Sequence, residues 1–180
     1  VLFRSEAILY GELIVGDTGD KDCVSKIFTD HNISTVMHFA AHTVVPESVS
    51  NPLKYYGNNT CNTRNLLECC QEFGVNQFVF SSTAAVYGIP ESSKPVTENT
   101  PTTPINAYGT SKLMSEWMMR DLAFATDFKY VAFRYFNVAG CDLQGKIGQS
   151  TPNATLLTKV ACEVAVGKRE EMYIFGTDYT

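Results

Sequence analysis

Short apolar runs alternate with longer stretches of helical spacing along this chain, and that alternation restricts the fold more than any one motif. Leu13-Ile14-Val15, Thr35 to Ala41, Gln77 to Ser82 and Tyr130 to Phe136 each read as a strand, with Met172 to Phe175 as a fifth. Between the first two, Asp20 to Asn32 sets Val24, Ile27 and Phe28 at helical spacing behind Asp20 as the cap. Pro52 sits at a helix start, and Gly74 ends a helix predicted over Leu53 to Phe73. Two further helices are predicted, from Tyr108 to about Ala125 and from Asn153 to Val166 ahead of Gly167. Strands that return in parallel need crossovers, and helices supply them. The expected fold is α/β, a parallel sheet with helices on both faces.

The chain is 44% hydrophobic over 180 residues, enough for one core, or for one domain and a piece of another. A net charge of −5 with no basic block argues against a nucleic-acid surface. No apolar run approaches ~18 residues and no secretory signal is visible, so no membrane partner is expected. The six cysteines lack zinc or redox spacing, which points to reduced thiols in a cytoplasmic protein and to no metal site. The chain starts on Val1 and stops at Thr180 without an ending signal, so a fragment is expected, with Val1 to Ser5 foreign to the fold.

Tyr108 and Lys112 are four residues apart on a predicted helix, which stacks both side chains on one face. A free phenol, with a pKa near ~10, is a poor base at neutral pH. A lysine cation beside it would favour the phenolate and lower that value. Such a pair can take a proton from a hydroxyl and return it; equally, it is one turn of a surface helix. Context favours chemistry, because Ser81-Ser82-Thr83 closes the apolar run Phe78-Val79-Phe80. Hydroxyls at the carboxyl end of a buried strand sit where open α/β sheets bind ligands. His38 and His42 read as satisfied core residues, and Met114, Met118, Met119 and Trp117 as core or interface. No GxGxxG or GxxGxxG turn is present, so either a phosphate site lies upstream of residue 1 or this is no dinucleotide domain.

Several segments together resemble the extended short-chain dehydrogenase/reductase family. They are Val15-Gly-Asp17, His38-Phe-Ala-Ala41, Glu47-Ser-Val49, Tyr55-Tyr-Gly-Asn-Asn59, Phe80 to Gly88, Tyr108-Gly-Thr-Ser-Lys112, Arg134-Tyr-Phe-Asn137 and Ile174-Phe-Gly-Thr-Asp178. The resemblance implies a partial, Rossmann-like doubly wound sheet over residues 1–137. Residues 138–180 would begin a smaller substrate-binding region. It implies NAD as cofactor. Asp17 and Thr18 would lie at its adenine end, with Phe39, Ala40, Ala41, Asn58 and Ser81 along it and Tyr135 and Phe136 by the nicotinamide. Two of these have plainer readings: Asp17 as a strand-end cap, and Asn58 as a buried structural hydrogen bond. Thr43 stands where some members carry a cofactor-contacting lysine.

The implied catalytic set is Tyr108, Lys112 and Thr83, with Thr83 bridging the phenol and the sugar. Asn137 would meet the diphosphate, and Leu157 and Phe175 the uridine; Leu156 replaces the usual His or Asn. Relatives that eliminate water carry Asp-Glu after the Thr83 position, and an elimination needs an extra acid and base. Ala84-Ala85 cannot supply them, which favours reversible oxidation at one carbon. The expected reaction is interconversion of UDP-galactose and UDP-glucose at C4. The alternatives are a UDP-uronate epimerase and an inactive nucleotide-binding remnant. A homodimer through the two long helices is implied, and residues 1–180 alone are expected to have little or no activity.

Overall fold

A computed structural model describes residues 8, 10–91, 94–150, 154–174 and 176. They divide into two compact units. One runs from Ile14 to Phe136; the other joins the described residues up to Leu13 with those from Asn137 onward.

The larger unit is built on a three-stranded parallel sheet in the order β1-β2-β3, with β1 Thr35–His38, β2 Gln77–Ser81 and β3 Lys129–Phe133. Register runs Thr35–Gln77–Lys129 at one end and His38–Phe80–Ala132 near the other. Helix α1 (Lys21–Asp30) starts where Asp20 accepts a hydrogen bond from Cys23 N at 3.0 Å. Helix α2 (Val45–Ser50) has proline in its first turn. The predicted long helix is three contiguous pieces, α3 (Pro52–Tyr55), a π-helical segment (Tyr56–Cys61) and α4 (Asn62–Glu72). Gly74, at φ +70°, takes the left-handed conformation that stops the last piece. Helix α5 (Ala107–Ala125) precedes β3.

One face of the sheet holds the core. Phe78 and Phe80 of β2 are 2% and 0% exposed and pack with Val24 of α1, Leu66, Leu67, Cys69 and Cys70 of α4, and Met119 of α5. Each buried phenylalanine contributes about 1.5–3 kcal/mol. On the opposite face Met37, Val131 and Phe133 are exposed. In the smaller unit, α6 (Leu157–Ala165) is tied by an Arg169 fork to Glu163.

Several boundaries differ from expectation. Leu13-Ile14-Val15 is not a strand, because a strand exists only where a neighbour supplies a ladder, and the pairing of β1 is with β2. β1 stops at His38, freeing Phe39 to Ala41 as an irregular segment. Residues 172–174 form no strand, and helix α6 starts at Leu157; Asn153 and Phe175 lie outside the described residues. So do Val1 to Ser5.

His38 is the satisfied core histidine that was expected. It is 4% exposed, with Nε2 2.9 Å from Thr63 Oγ1. The Thr63 hydroxyl gives its proton to Asn59 O at 2.5 Å, so the His38 ring N–H is the donor to Thr63. Burial, reinforced by the Lys112 charge, pushes its pKa down to about 4. An unfolded histidine titrates near ~6.5, so the unfolded chain binds a proton that the native state refuses. Stability therefore falls as pH drops from ~6.5 towards the folded value. In the intact protein, His38→Gln is expected to make that loss shallower. Urea midpoints across this pH range check it, and parallel curves would contradict it.

Candidate active site

The chemistry-bearing residues gather at the carboxyl end of β2, under the first turns of α5. Asn106 starts α5 by accepting from Gly109 N at 2.8 Å. A Cβ on Gly109 would lie 2.6 Å from Ala85 O, so only glycine lets the helix approach this closely. Ala85 belongs to a short 3₁₀ turn, Ala84–Tyr87, that follows Thr83 directly. Thr83 Oγ1 accepts from Ala85 N at 3.2 Å, and its hydroxyl lies near enough to the Tyr108 phenol to favour the phenolate.

Lys112 is 2% exposed. Its ammonium donates to Ser81 O at 2.8 Å and lies 4.7 Å from the centre of the Phe80 ring. Burial pushes its pKa down to about 8. The Tyr108 phenol behaves differently from expectation. Its pKa is raised above the ordinary value, because burial outweighs the nearby Thr83 hydroxyl, which favours the phenolate. Spacing alone predicted a fall caused by Lys112, whose ammonium here donates to the Ser81 carbonyl.

Behind this pair, Asn59 ties three segments together. Its Oδ1 accepts from His42 N at 2.8 Å, and its Nδ2 donates to His42 O at 3.0 Å and to Ser111 Oγ at 3.1 Å. Its carbonyl also accepts from Thr63 and, at 3.3 Å, from Ser115 Oγ. The π-helical turn widens the helix here and so leaves that carbonyl for side chains. Tyr55, fully buried, donates to Val44 O at 2.7 Å and Glu47 Oε2 at 2.9 Å, and its ring meets Tyr108 edge-on at 6.4 Å. The segment that follows β1 is thereby held at both ends.

Other predicted residues are placed as follows. Phe39 and Ala40 are exposed and Ala41 half-buried after β1. Asp17 is exposed; its Oδ1 accepts from Gly19 N at 2.7 Å and Asn62 Nδ2 at 3.4 Å, and Thr18 is half-buried beside it. Asn58 is half-buried and donates to Asn59 Oδ1 at 3.0 Å, a structural bond. Tyr135 O accepts from Ala84 N at 2.7 Å, joining it to the Thr83 turn through backbone. The side chains of Tyr135 and Phe136 line a cavity of about 690 Å³ beside β3, which Tyr108 and Lys112 do not line. Asn137 and Leu157 are exposed residues of the smaller unit, and Phe175 lies outside the described residues. Among the described residues no cluster of three or more metal-ligating side chains occurs.

Sequence reasoning missed a buried ionic group next to this site. Glu116, 7% exposed, accepts from Ser82 Oγ and is gripped by Arg134, with Nη2 at 2.7 Å and Nε at 3.2 Å. Arg134 also donates to the Tyr87 hydroxyl at 3.1 Å and stacks on that ring at 5.0 Å. The available signal was spacing, since Glu116 follows Lys112 by four residues on the face that carries Tyr108.

The sequence model of the NAD dependent epimerase/dehydratase family matches residues 2–179. A UDP-glucose 4-epimerase of Azospirillum brasilense is 53% identical over 167 residues, 93% of this chain and 48% of that protein. One from Streptococcus mutans is 47% identical, over 91% of this chain and 49% of its own length. The chain thus spans about half the length of the curated relatives it matches. Among solved structures, a UDP-glucose 4-epimerase of Brucella ovis in complex with NAD superposes with a TM-score of 0.92 at 37% identity, over 98% of this chain and 54% of that one. One from Bifidobacterium longum in complex with NAD+ and UDP gives 0.84 at 40% identity, over 91% and 50%.

The two neighbouring asparagines are distinguishable by stability. Asn59→Ala leaves both backbone groups of His42 without partners and is expected to cost about 2–4 kcal/mol. Asn58→Ala should cost less than about 1 kcal/mol. Chemical denaturation of the intact protein checks the pair, and equal losses would contradict the assignment.

Proposed function

The chain belongs to the NAD dependent epimerase/dehydratase family, and from that premise we propose that the intact protein interconverts UDP-galactose and UDP-glucose at sugar C4. The observation that carries this reading is the buried Lys112 ammonium, one helical turn after Tyr108, held at 2.8 Å on the carbonyl of Ser81, two residues before Thr83, at the carboxyl end of a parallel strand. Ala84 and Ala85 follow Thr83 with no carboxylate to drive an elimination, so the chemistry reduces to moving one proton while the carbon is oxidised and reduced again.

The residues present fit NAD. The segment after β1 offers exposed backbone flanked only by the methyl groups of Ala40 and Ala41, and such small residues admit a flat cofactor closely. Phe39, Ala40, Ala41 and Ser81 would hold it along its length, Asp17 and Thr18 at the adenine end, and the backbone-linked Tyr135 and Phe136 near the nicotinamide. NAD, when bound, supplies the two-electron acceptor at C4 and a positive charge near Tyr108. Tyr108 then takes the proton of the 4-hydroxyl through or beside Thr83, and returns it once the sugar has presented its other face. Lys112 holds Ser81 and keeps a cation within the site. Of the roles carried by the resemblance, Asn58 is the weaker cofactor contact, because its amide is engaged by Asn59. Asn137 is assigned to the diphosphate, and Leu157 and Phe175 to the uridine.

The six cysteines are all free, which supports a cytoplasmic setting. Among the described residues no helix is long and apolar enough to cross a membrane. A homodimer is supported by Leu53, Met114 and Trp117, apolar side chains left exposed on the two long helical stretches.

Tyr108→Phe in the intact protein is expected to lower UDP-galactose conversion by on the order of 10²–10⁴-fold, with fold and NAD binding retained. A coupled assay for UDP-glucose checks this. Near-normal turnover by the variant would sink the assignment of the base.

A further inference from the structure

Two consecutive residues at the end of β2 are bound by one face of α5. Ser81 O receives the Lys112 ammonium and Ser82 Oγ donates to Glu116, while the next residue, Thr83, lies by the Tyr108 phenol. The α5 partners, Tyr108, Lys112 and Glu116, are four residues apart, so they form one column on the helix. The third member differs from the others because it is anchored from behind. Arg134, just past β3, grips both Glu116 oxygens and is itself held by the Tyr87 hydroxyl, the Tyr87 ring and, at 3.3 Å, Glu98 O.

A carboxylate with so little exposure is costly unless it is paired and hydrogen-bonded. Both conditions are met, and no buried side-chain nitrogen or oxygen among the described residues lacks a partner. The bidentate fork permits little rotation of either group. A carboxylate fixed in this way fixes Ser82, and Ser82 is bonded through one peptide link to Thr83.

We propose that the Glu116–Arg134 pair is a positioning device for the reaction, which locks α5 to the end of β2 through Ser82 and so holds Tyr108 beside Thr83. The inference rests on the epimerase reading for its role in turnover, but the geometry it asserts does not. Groups facing this column are Arg134 and Tyr130 from β3 and its extension, His38 from β1, Tyr87 from the 3₁₀ turn, and Tyr55 from α3.

The test uses the intact protein with Ser82→Ala and Glu116→Gln, beside wild type and Tyr108→Phe. One readout is ultraviolet titration of the Tyr108 phenol, taken as the difference from Tyr108→Phe. The nearby Thr83 hydroxyl favours the phenolate, so moving it away is expected to shift the titration to higher pH in both variants. The second readout is turnover. A displacement of under an ångström is expected to lower kcat by on the order of tenfold or more, with KM within about twofold of wild type. A phenol titration unmoved in Ser82→Ala overturns the proposal, and so does a loss of kcat that only follows a lowered thermal midpoint. If Glu116→Gln fails to fold, Ser82→Ala decides alone, since it removes one hydroxyl and leaves the ion pair. Wild type without epimerisation would defeat the functional reading, and the titration would still decide this one.

Discussion

A lysine cation buried to 2% exposure, donating to the carbonyl of Ser81, is the interaction on which the rest of this site depends. An ammonium removed from water needs hydrogen-bond acceptors and polarisable neighbours. Ser81 O and the Phe80 ring supply them. The bond spans the gap between α5 and β2, and the close approach allowed by Gly109 at Ala85 keeps that gap narrow. Tyr108, one turn before Lys112, is then bound to face Thr83.

The cost of this arrangement appears in the phenol. The same closeness that brings Tyr108 to Thr83 buries it and pushes its pKa up. A phenol raised in this way is protonated at neutral pH, so in the proposed reaction its role as base would depend on a nearby positive charge. The neighbouring His38 stays neutral for a related reason: burial and the Lys112 charge both oppose its protonation.

Local patterns were legible in the residues themselves. The Asp20 cap, the stop at Gly74, the strands through Phe78 and Val131 and the shared face of Tyr108 and Lys112 all follow from spacing over a few residues. Features that need distant partners were not. Leu13 to Val15 looks like a strand because it is apolar, but a ladder has two sides. The π-helical turn at Tyr56–Cys61 carries no signal beyond a polar Asn58-Asn59-Thr60. Glu116 and Arg134 look like solvated charges, and only the fold brings them together with Ser82 in a buried cluster. The direction of the Tyr108 shift was misread for the same reason, since spacing shows which side chains share a face and not where their polar ends point.

Burial holds the Tyr108 phenol up, and in the proposed reaction the charge of bound NAD would bring it down. The measurement that bears on it most directly is the phenol titration of the intact protein with NAD+ bound and again with NADH bound, each as a difference from Tyr108→Phe. A lower pKa with NAD+ than with NADH is the predicted result. The same value in both states would contradict the claim and would leave Tyr108 without the means to act as a base near neutral pH.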